Sequence, residues 1–160
     1  MRETSLSFGI LILFKVPETF AQSATSVGEV HLSVNSEISL TKIRDLNMGY
    51  VIQGITSVNI NPLTNGASAY FTFAASPNAS ARVSYSSTNL QSGTNTISFT
   101  GDLAGNDNTD QNFSAPVRNG ATITTSFSGS YYLWSGGTAL LAPDQPIGAY
   151  TGSFTILVSH

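Results

Sequence analysis

The chain has 160 residues, 41% of them hydrophobic but only 9% charged, with a net charge of −3 and no cysteine. A chain this long builds one domain around one sizeable core, and its charged fraction, far below the roughly 25% of an average domain, leaves a neutral surface poor in helix formers. Six Lys plus Arg, with no basic run longer than the pair Lys42 and Arg44, exclude a nucleic-acid partner and argue against an anionic membrane surface; the absent cysteines exclude disulfides, a thiolate nucleophile and a Cys-based metal site.

In chain order, Arg2, the apolar run Leu6 to Phe14 and the stretch KVPETFAQS follow the layout of a secretory signal, with a small-residue cut after Ala21. The apolar run is too short to span a bilayer, so residues 1–21 are expected to be removed and no membrane insertion is expected afterwards. Residues 22–36 then read as an N-terminal strand, with VGEVHLSVN placing Gly28, Val30, Leu32 and Val34 on one face. Residues 37–160 read as the domain proper.

Alternation continues through that domain. Ile38 and Leu40 share a face before a phase shift to Ile43, and Val58 and Ile60 precede a turn at Asn61 to Gly66. Next come Ala69, Phe71 and Phe73, then Ala81, Val83 and Tyr85, then Ile97 and Phe99, then Ile123, Thr125 and Phe127. YYLW leads into a predicted turn at Gly136–Gly137, and the stretch from Gly148 to His160 predicts one long strand with Tyr150, Gly152, Phe154, Ile156 and Val158 on one side. Clusters of Gly, Asn, Pro and Ser separate these runs, because Gly and Asn tolerate positive φ and Pro fixes φ and withholds a donor. Short strands punctuated in this way predict an all-β, immunoglobulin-like antiparallel β-sandwich.

Three landmarks occur together: DLNMG (Asp45 to Gly49), GGTAL (Gly136 to Leu140) and GAYTGSFTILV (Gly148 to Val158). In their order and spacing the chain resembles a bacterial secreted family catalogued as domain of unknown function 4402, whose members look pilin-like. The resemblance runs from about Val30 to His160. It implies a pilin-like sandwich and an extracellular location; the family has no established enzymatic activity, so the resemblance transfers no reaction. The chain departs from that pattern in carrying Met48 where Phe is usual, and in ending on Ser159 and His160 rather than on an aromatic-ended strand.

Chemistry-bearing constellations are few. GDLAGNDNTDQN holds Asp102, Asp107 and Asp110 with Asn106 and Asn108, oxygen ligands of the kind calcium takes, but the spacing does not fit an EF-hand. The plainer reading is a polar hairpin loop kept soluble by its acids, so no metal and no cofactor is expected. The two histidines, His31 and His160, have no Gly-x-Ser-x-Gly nucleophile elbow to serve. A carboxylate pair would have to combine the acidic loop with Asp45 or Asp144, which nothing in the spacing favours. The chain is therefore not expected to be an enzyme. Tyr131, Tyr132 and Trp134 form a candidate ligand platform for a sugar or a partner subunit, although a lone Trp in such folds usually sits in the core.

Edge chemistry carries the functional expectation. The stretch Gly148 to His160 contains no Lys, Arg, Asp or Glu, and Val27 to Val34 has only Glu29 and His31 as polar relief. An N-terminal strand that completes a neighbour's sheet, burying Val30, Leu32 and Val34 against an acceptor built from Tyr150, Phe154, Ile156 and Val158, would propagate head to tail. The alternative pairs the same segment within its own sheet. The sequence thus points to a secreted, self-associating structural subunit of a bacterial surface filament, pilus- or fimbria-like, or of an extracellular matrix. A monomeric secreted adhesion or carbohydrate-binding module is the alternative.

Overall fold

The computed structural model of the chain describes residues 38–159. The expected signal segment 1–21, the expected donor strand with Val30, Leu32 and Val34, and both histidines lie outside the described residues.

Ten strands follow in order: β1 (Ser39–Arg44), β2 (Ser57–Ile60), β3 (Ala69–Ala74), β4 (Ser80–Ser87), β5 (Leu90–Ser92), β6 (Asn95–Asn106), β7 (Ala115–Pro116), β8 (Ala121–Thr124), β9 (Ser130–Leu140) and β10 (Phe154–Ser159). One 3₁₀ turn, Gln111–Phe113, lies between β6 and β7. The larger sheet has the order β1-β3-β9-β6-β5, with β2 also paired to β9 and β7 to β6; the smaller is β10-β4-β8. Every pairing is antiparallel. The domain is thus an all-β, immunoglobulin-like antiparallel sandwich, as the alternation predicts.

Alternation places the core. On β3 the residues Ala69, Phe71 and Phe73 turn inward, and across β9 they meet Leu133; Ala81 and Val83 of β4, Ile123 of β8, Leu103 of β6 and Val117 complete the main cluster. Phe73, Val83 and Leu133 have no exposed surface. Fully burying a side chain of this size stabilises by about 1.5–3 kcal/mol, which makes these positions the thermodynamic centre of the domain. A smaller cluster, Ile97, Phe99 and Ala139, fills one end and is only partly covered, by Leu46, Met48, Leu90, Leu141, Tyr150 and Phe154.

Four expectations are corrected. Gly136 and Gly137 form no turn; they lie inside the eleven-residue strand β9. Here β9 changes partner from β3 to β2 along one edge while β6 runs along the other. A Cβ on Gly136 would collide with the Ile60 carbonyl oxygen, and one on Gly137 with that of Thr100, so the glycines admit close backbone approach rather than a reversal. The long strand predicted from Gly148 begins only at Phe154; before it, Thr151 makes an isolated bridge to Gln91. Tyr150 has left the strand path, its hydroxyl donating to the Pro146 carbonyl and accepting from Gln145 Nε2, both at 2.8 Å. Phe127 is exposed in a turn, because β8 stops at Thr124. Asp102 sits on β6 rather than in the acidic loop. The predicted phase shift near Ile43 corresponds to a register irregularity between Lys42 and Arg44.

Candidate functional site: an open edge and the cleft beside it

A sandwich leaves sheet edges whose outward N–H and C=O groups invite pairing, and several gaps along them are closed locally here. Beyond the end of β8, the Asn119 side chain stands in for a strand: its Oδ1 accepts from Tyr85 N at 3.0 Å and its Nδ2 donates to Tyr85 O at 2.8 Å. In the gap along β6 between β5 and β7, Phe99 N donates to Asn89 Oδ1, Gly101 N donates to Ser87 Oγ, and Leu103 O accepts from Val117 N. The outer edge of β1 is blunted differently, by Lys42, Arg44 and the irregularity between them. Lys42 Nζ lies 2.7 Å from the Asp45 carboxylate.

β10 has none of these protections. It pairs with β4 along one edge from Phe154↔Ser87 to Ser159↔Arg82, and no strand among the described residues pairs with the other. Its six residues, FTILVS, include neither charge nor proline. Phe154, Ile156 and Val158 turn toward the core but stay half-buried, while Thr155, Leu157 and Ser159 are exposed. Three of the four predicted acceptor residues therefore lie on one face of one edge strand. The fourth, Tyr150, packs on the smaller cluster at its end.

Beside this edge the core is open. A cleft of about 530 Å³ lies between the end of β1, at Lys42, Asp45 and Leu46, and the approach to β10, at Ser153 and Phe154. Ala69, Phe71, Phe99 and Ser135 also line it. A second cleft of about 710 Å³ runs on past Ile97, Ala139 and Leu141 to Ile52, Ile55 and Ile147. Both are lined by Asn47, Met48, Gly49, Leu90 and Tyr150, so they form one groove. Ile52 is 82% exposed and Ile147 94%.

Ser135 stands out in that lining. Its residue is fully buried, and its Oγ has no hydrogen-bond partner. The other two buried polar residues are both satisfied: Ser68 Oγ accepts from Gln111 Nε2 at 3.0 Å, and Thr125 Oγ1 donates to the Ser76 carbonyl at 2.7 Å.

The aromatic trio is divided by the pleat. Leu133 faces the core, so Trp134 lies on the opposite face of β9, yet Trp134 is only 3% exposed. Tyr70, on β3 opposite Trp134, stacks on it at 5.3 Å and 19°, and on Tyr132 at 6.4 Å and 18°. Rings stacked in this way spend their faces on each other, so Trp134 offers no open face to a sugar. Tyr131 belongs to the core side and packs on the main cluster. Burial raises the Tyr131 hydroxyl above its ordinary pKa of 10.0, with the Asp107 charge adding to the shift. Tyr85 is raised by burial and then by Asp102, and Tyr70 by burial and then by Tyr132, with Arg44 opposing.

The acidic loop is built as a relay of side-chain caps. Asn106 Oδ1 accepts from Asn108 N, Asn108 Oδ1 from Asp110 N, and Asp110 Oδ1 from Asn112 N, at 2.8, 3.0 and 2.9 Å. These oxygens order the chain two residues on, the habit of Asn and Asp in turns. Asp102, Asp107 and Asp110 do not converge into a metal-ligating group, and no such group occurs among the described residues. Gln111, next in the chain, ties the 3₁₀ turn to the loop beneath it through Pro62 O, Asn65 O and Ser68 Oγ.

Sequence reasoning missed Tyr70, Asn119 and Ser135. Only Ser135 had a local signal: it interrupts the inward series Leu133, Gly137, Ala139 with a hydroxyl. A family model described as Domain of unknown function (DUF4402) matches residues 38–160. No curated protein matches the chain.

Proposed function

The chain belongs to the family described as Domain of unknown function (DUF4402), and from that premise, which carries no reaction with it, we propose that it is a secreted structural subunit of a surface filament or matrix, assembling by β-strand complementation. One observation carries the reading. The outer edge of β10 is uncharged, free of proline and unpaired among the described residues, and Phe154 at its start lines the open groove. A strand added there covers the half-buried Phe154, Ile156 and Val158 and satisfies the outward main-chain groups together. The donor is the segment Val27 to Val34, whose alternation presents Val30, Leu32 and Val34 on one face. Donor and acceptor are different surfaces, so the contact is heterologous and need not close.

The test is electron microscopy and sedimentation of the chain starting at Gln22, beside the same chain lacking residues 22–36. Filaments or defined oligomers in the first and a soluble monomer in the second are expected. A monomer at every concentration, or an oligomer indifferent to the deletion, overturns the reading. The alternative, a monomeric glycan-binding module, draws its support from the half-exposed Tyr70 and Tyr132. It is weakened by the burial of Trp134 beneath them.

A further inference from the structure

We propose that Asn65 is a site of spontaneous deamidation in the folded protein, its side-chain amide lost to attack by the Gly66 main-chain nitrogen, and that the fold keeps Asn119 from the same reaction. The chain holds two Asn-Gly pairs, Asn65–Gly66 and Asn119–Gly120. The reaction needs a main-chain nitrogen free to approach the asparagine Cγ, and glycine favours it because no side chain stands in the way. By sequence the two pairs are equivalent. Their surroundings separate them.

At Asn65 the reacting groups are free and poised. Gly66 is exposed, and its N–H has no acceptor among the described residues. Asn65 Oδ1 accepts from Ala67 N at 2.9 Å, which folds the side chain over the main chain that follows it. That N–H also sits on the oxygen where negative charge gathers as Cγ is attacked, the placement that stabilises an oxyanion.

At Asn119 the same groups are held. Gly120 N donates to Val83 O at 2.8 Å, so the nucleophile is already committed to a strand. The Asn119 amide is clamped at both ends on Tyr85, Oδ1 accepting from its N at 3.0 Å and Nδ2 donating to its O at 2.8 Å. Turning Cγ onto Gly120 N breaks these bonds. Each is worth about 2- to 10-fold in rate, so the three together hold Asn119 about 10-fold or more behind Asn65.

The step balances without oxidant or cofactor. Hydroxide takes the Gly66 amide proton, the bond from Gly66 N to Cγ forms, and the bond from Cγ to Nδ2 breaks, Nδ2 leaving as ammonia with a proton returned by water. Water then opens the cyclic imide. Opening between Cγ and N gives aspartate at position 65; opening between the main-chain carbonyl carbon and N gives isoaspartate, with the chain running through Cγ. The aspartate keeps the acceptor that Ala67 N uses, and the loop gains a negative charge. The isoaspartate adds a carbon to a main chain whose Asn65 carbonyl accepts from Ser68 N at 3.0 Å and from Gln111 Nε2 at 3.3 Å. Those bonds moor the loop before β3 to the 3₁₀ turn, so this product loosens both.

The test incubates the full-length chain at mildly alkaline pH, folded and in concentrated urea, and follows it by anion exchange and peptide mass spectrometry. In the folded chain the amide-to-acid mass change is expected at Asn65 about 10-fold or more faster than at Asn119, and in urea the two rates are expected to converge. Equal rates in the folded chain, or an Asn65 that stays intact while the chain in urea reacts, overturn the site. A gap that persists in urea belongs to the sequence and overturns the protection of Asn119. Gly66→Ala then tests the nucleophile. Gly66 does not take the positive φ that Gly120 takes (+81°), and a Cβ there would meet nothing within 4 Å, so the variant folds as the parent does. Loss of the Asn65 modification at an unchanged Tm is expected, and an Asn65 rate that survives the substitution overturns the assignment of Gly66 N.

Discussion

Two lysines on the open edge separate folding from assembly. Leu157 and Thr155 sit on the outward face of β10, and Leu157 is 64% exposed. Full burial of a leucine is worth about 1.5–3 kcal/mol, so the buried third contributes about 0.5–1 kcal/mol, and the aliphatic stem of a lysine keeps part of that. Thr155→Lys with Leu157→Lys therefore costs the lone domain about 0.5 kcal/mol, a shift of about 2 °C in Tm for a domain of this size. The assembled state loses more. Each cross-strand pair that an added strand makes on that face is worth about 0.2–1 kcal/mol, and lysine is the residue by which natural edges refuse partners. Loss of two such pairs, about 0.4–2 kcal/mol, weakens each contact about 2- to 30-fold. Sedimentation velocity over a concentration series, with a thermal melt of the same samples, reads both effects. A double variant that assembles at the concentration of the parent refutes the use of this edge, whatever its melting temperature.

Three further outcomes follow from the geometry. Gly137→Ala places a methyl group on the Thr100 carbonyl and the Phe99 ring at a backbone φ of +147°, and is expected to cost about 3 kcal/mol by chemical denaturation; an unchanged midpoint would show that β9 relaxes freely at its change of partner. Because the folded state holds the Tyr131 hydroxyl above its usual pKa, the neutral phenol's contribution is complete below pH 10 and is lost as pH rises further. Tyr131→Phe should accordingly flatten the alkaline fall in Tm, and an identical fall in the variant would assign it elsewhere. Gln111→Ala removes the donor shared by Pro62 O, Asn65 O and Ser68 Oγ, and is expected to cost about 1–3 kcal/mol while loosening the 3₁₀ turn. Chymotryptic cleavage at the exposed Phe113 reads that loosening, and an unchanged cleavage rate argues against it.

What the sequence made legible was whatever repeats locally. AYFTFA announces its buried face without help, since Ala69, Phe71 and Phe73 alternate with Tyr70, Thr72 and Ala74 in an unbroken period of two. The glycine pair was misread because Gly-Gly is a turn dipeptide when only neighbours in the chain are known; its reason here is the approach of Ile60 and Thr100, some 76 and 37 positions back. Trp134 was weighed between core and platform because its cover includes Tyr70, a ring 64 positions away. The closing strand was drawn too long for a related reason. Tyr150 keeps the alternation, but Gln145 and Pro146 hold its hydroxyl and turn the backbone out of the ladder. Edge closure was wholly hidden, since an amide such as Asn119 serving Tyr85 leaves no periodic trace.

That hidden closure bears on how an assembly of these domains would grow. Asn119, Asn89 and Ser87 close gaps in strand pairing one bond at a time, and Lys42 and Arg44 guard β1. β10 could have been guarded as simply, by one charge at Thr155 or Leu157, at a cost to the fold of a few tenths of a kcal/mol. The edge of β10 is left without such a charge, and Phe154 at its start lines the open groove. On the proposed reading this makes each subunit polar, with one acceptor and one donor that are not copies of each other. Two subunits then cannot satisfy both surfaces mutually unless the geometry closes a ring, and growth proceeds by addition at an end whose acceptor is empty. The low net charge permits such stacking, because neighbouring subunits carry little charge with which to repel one another.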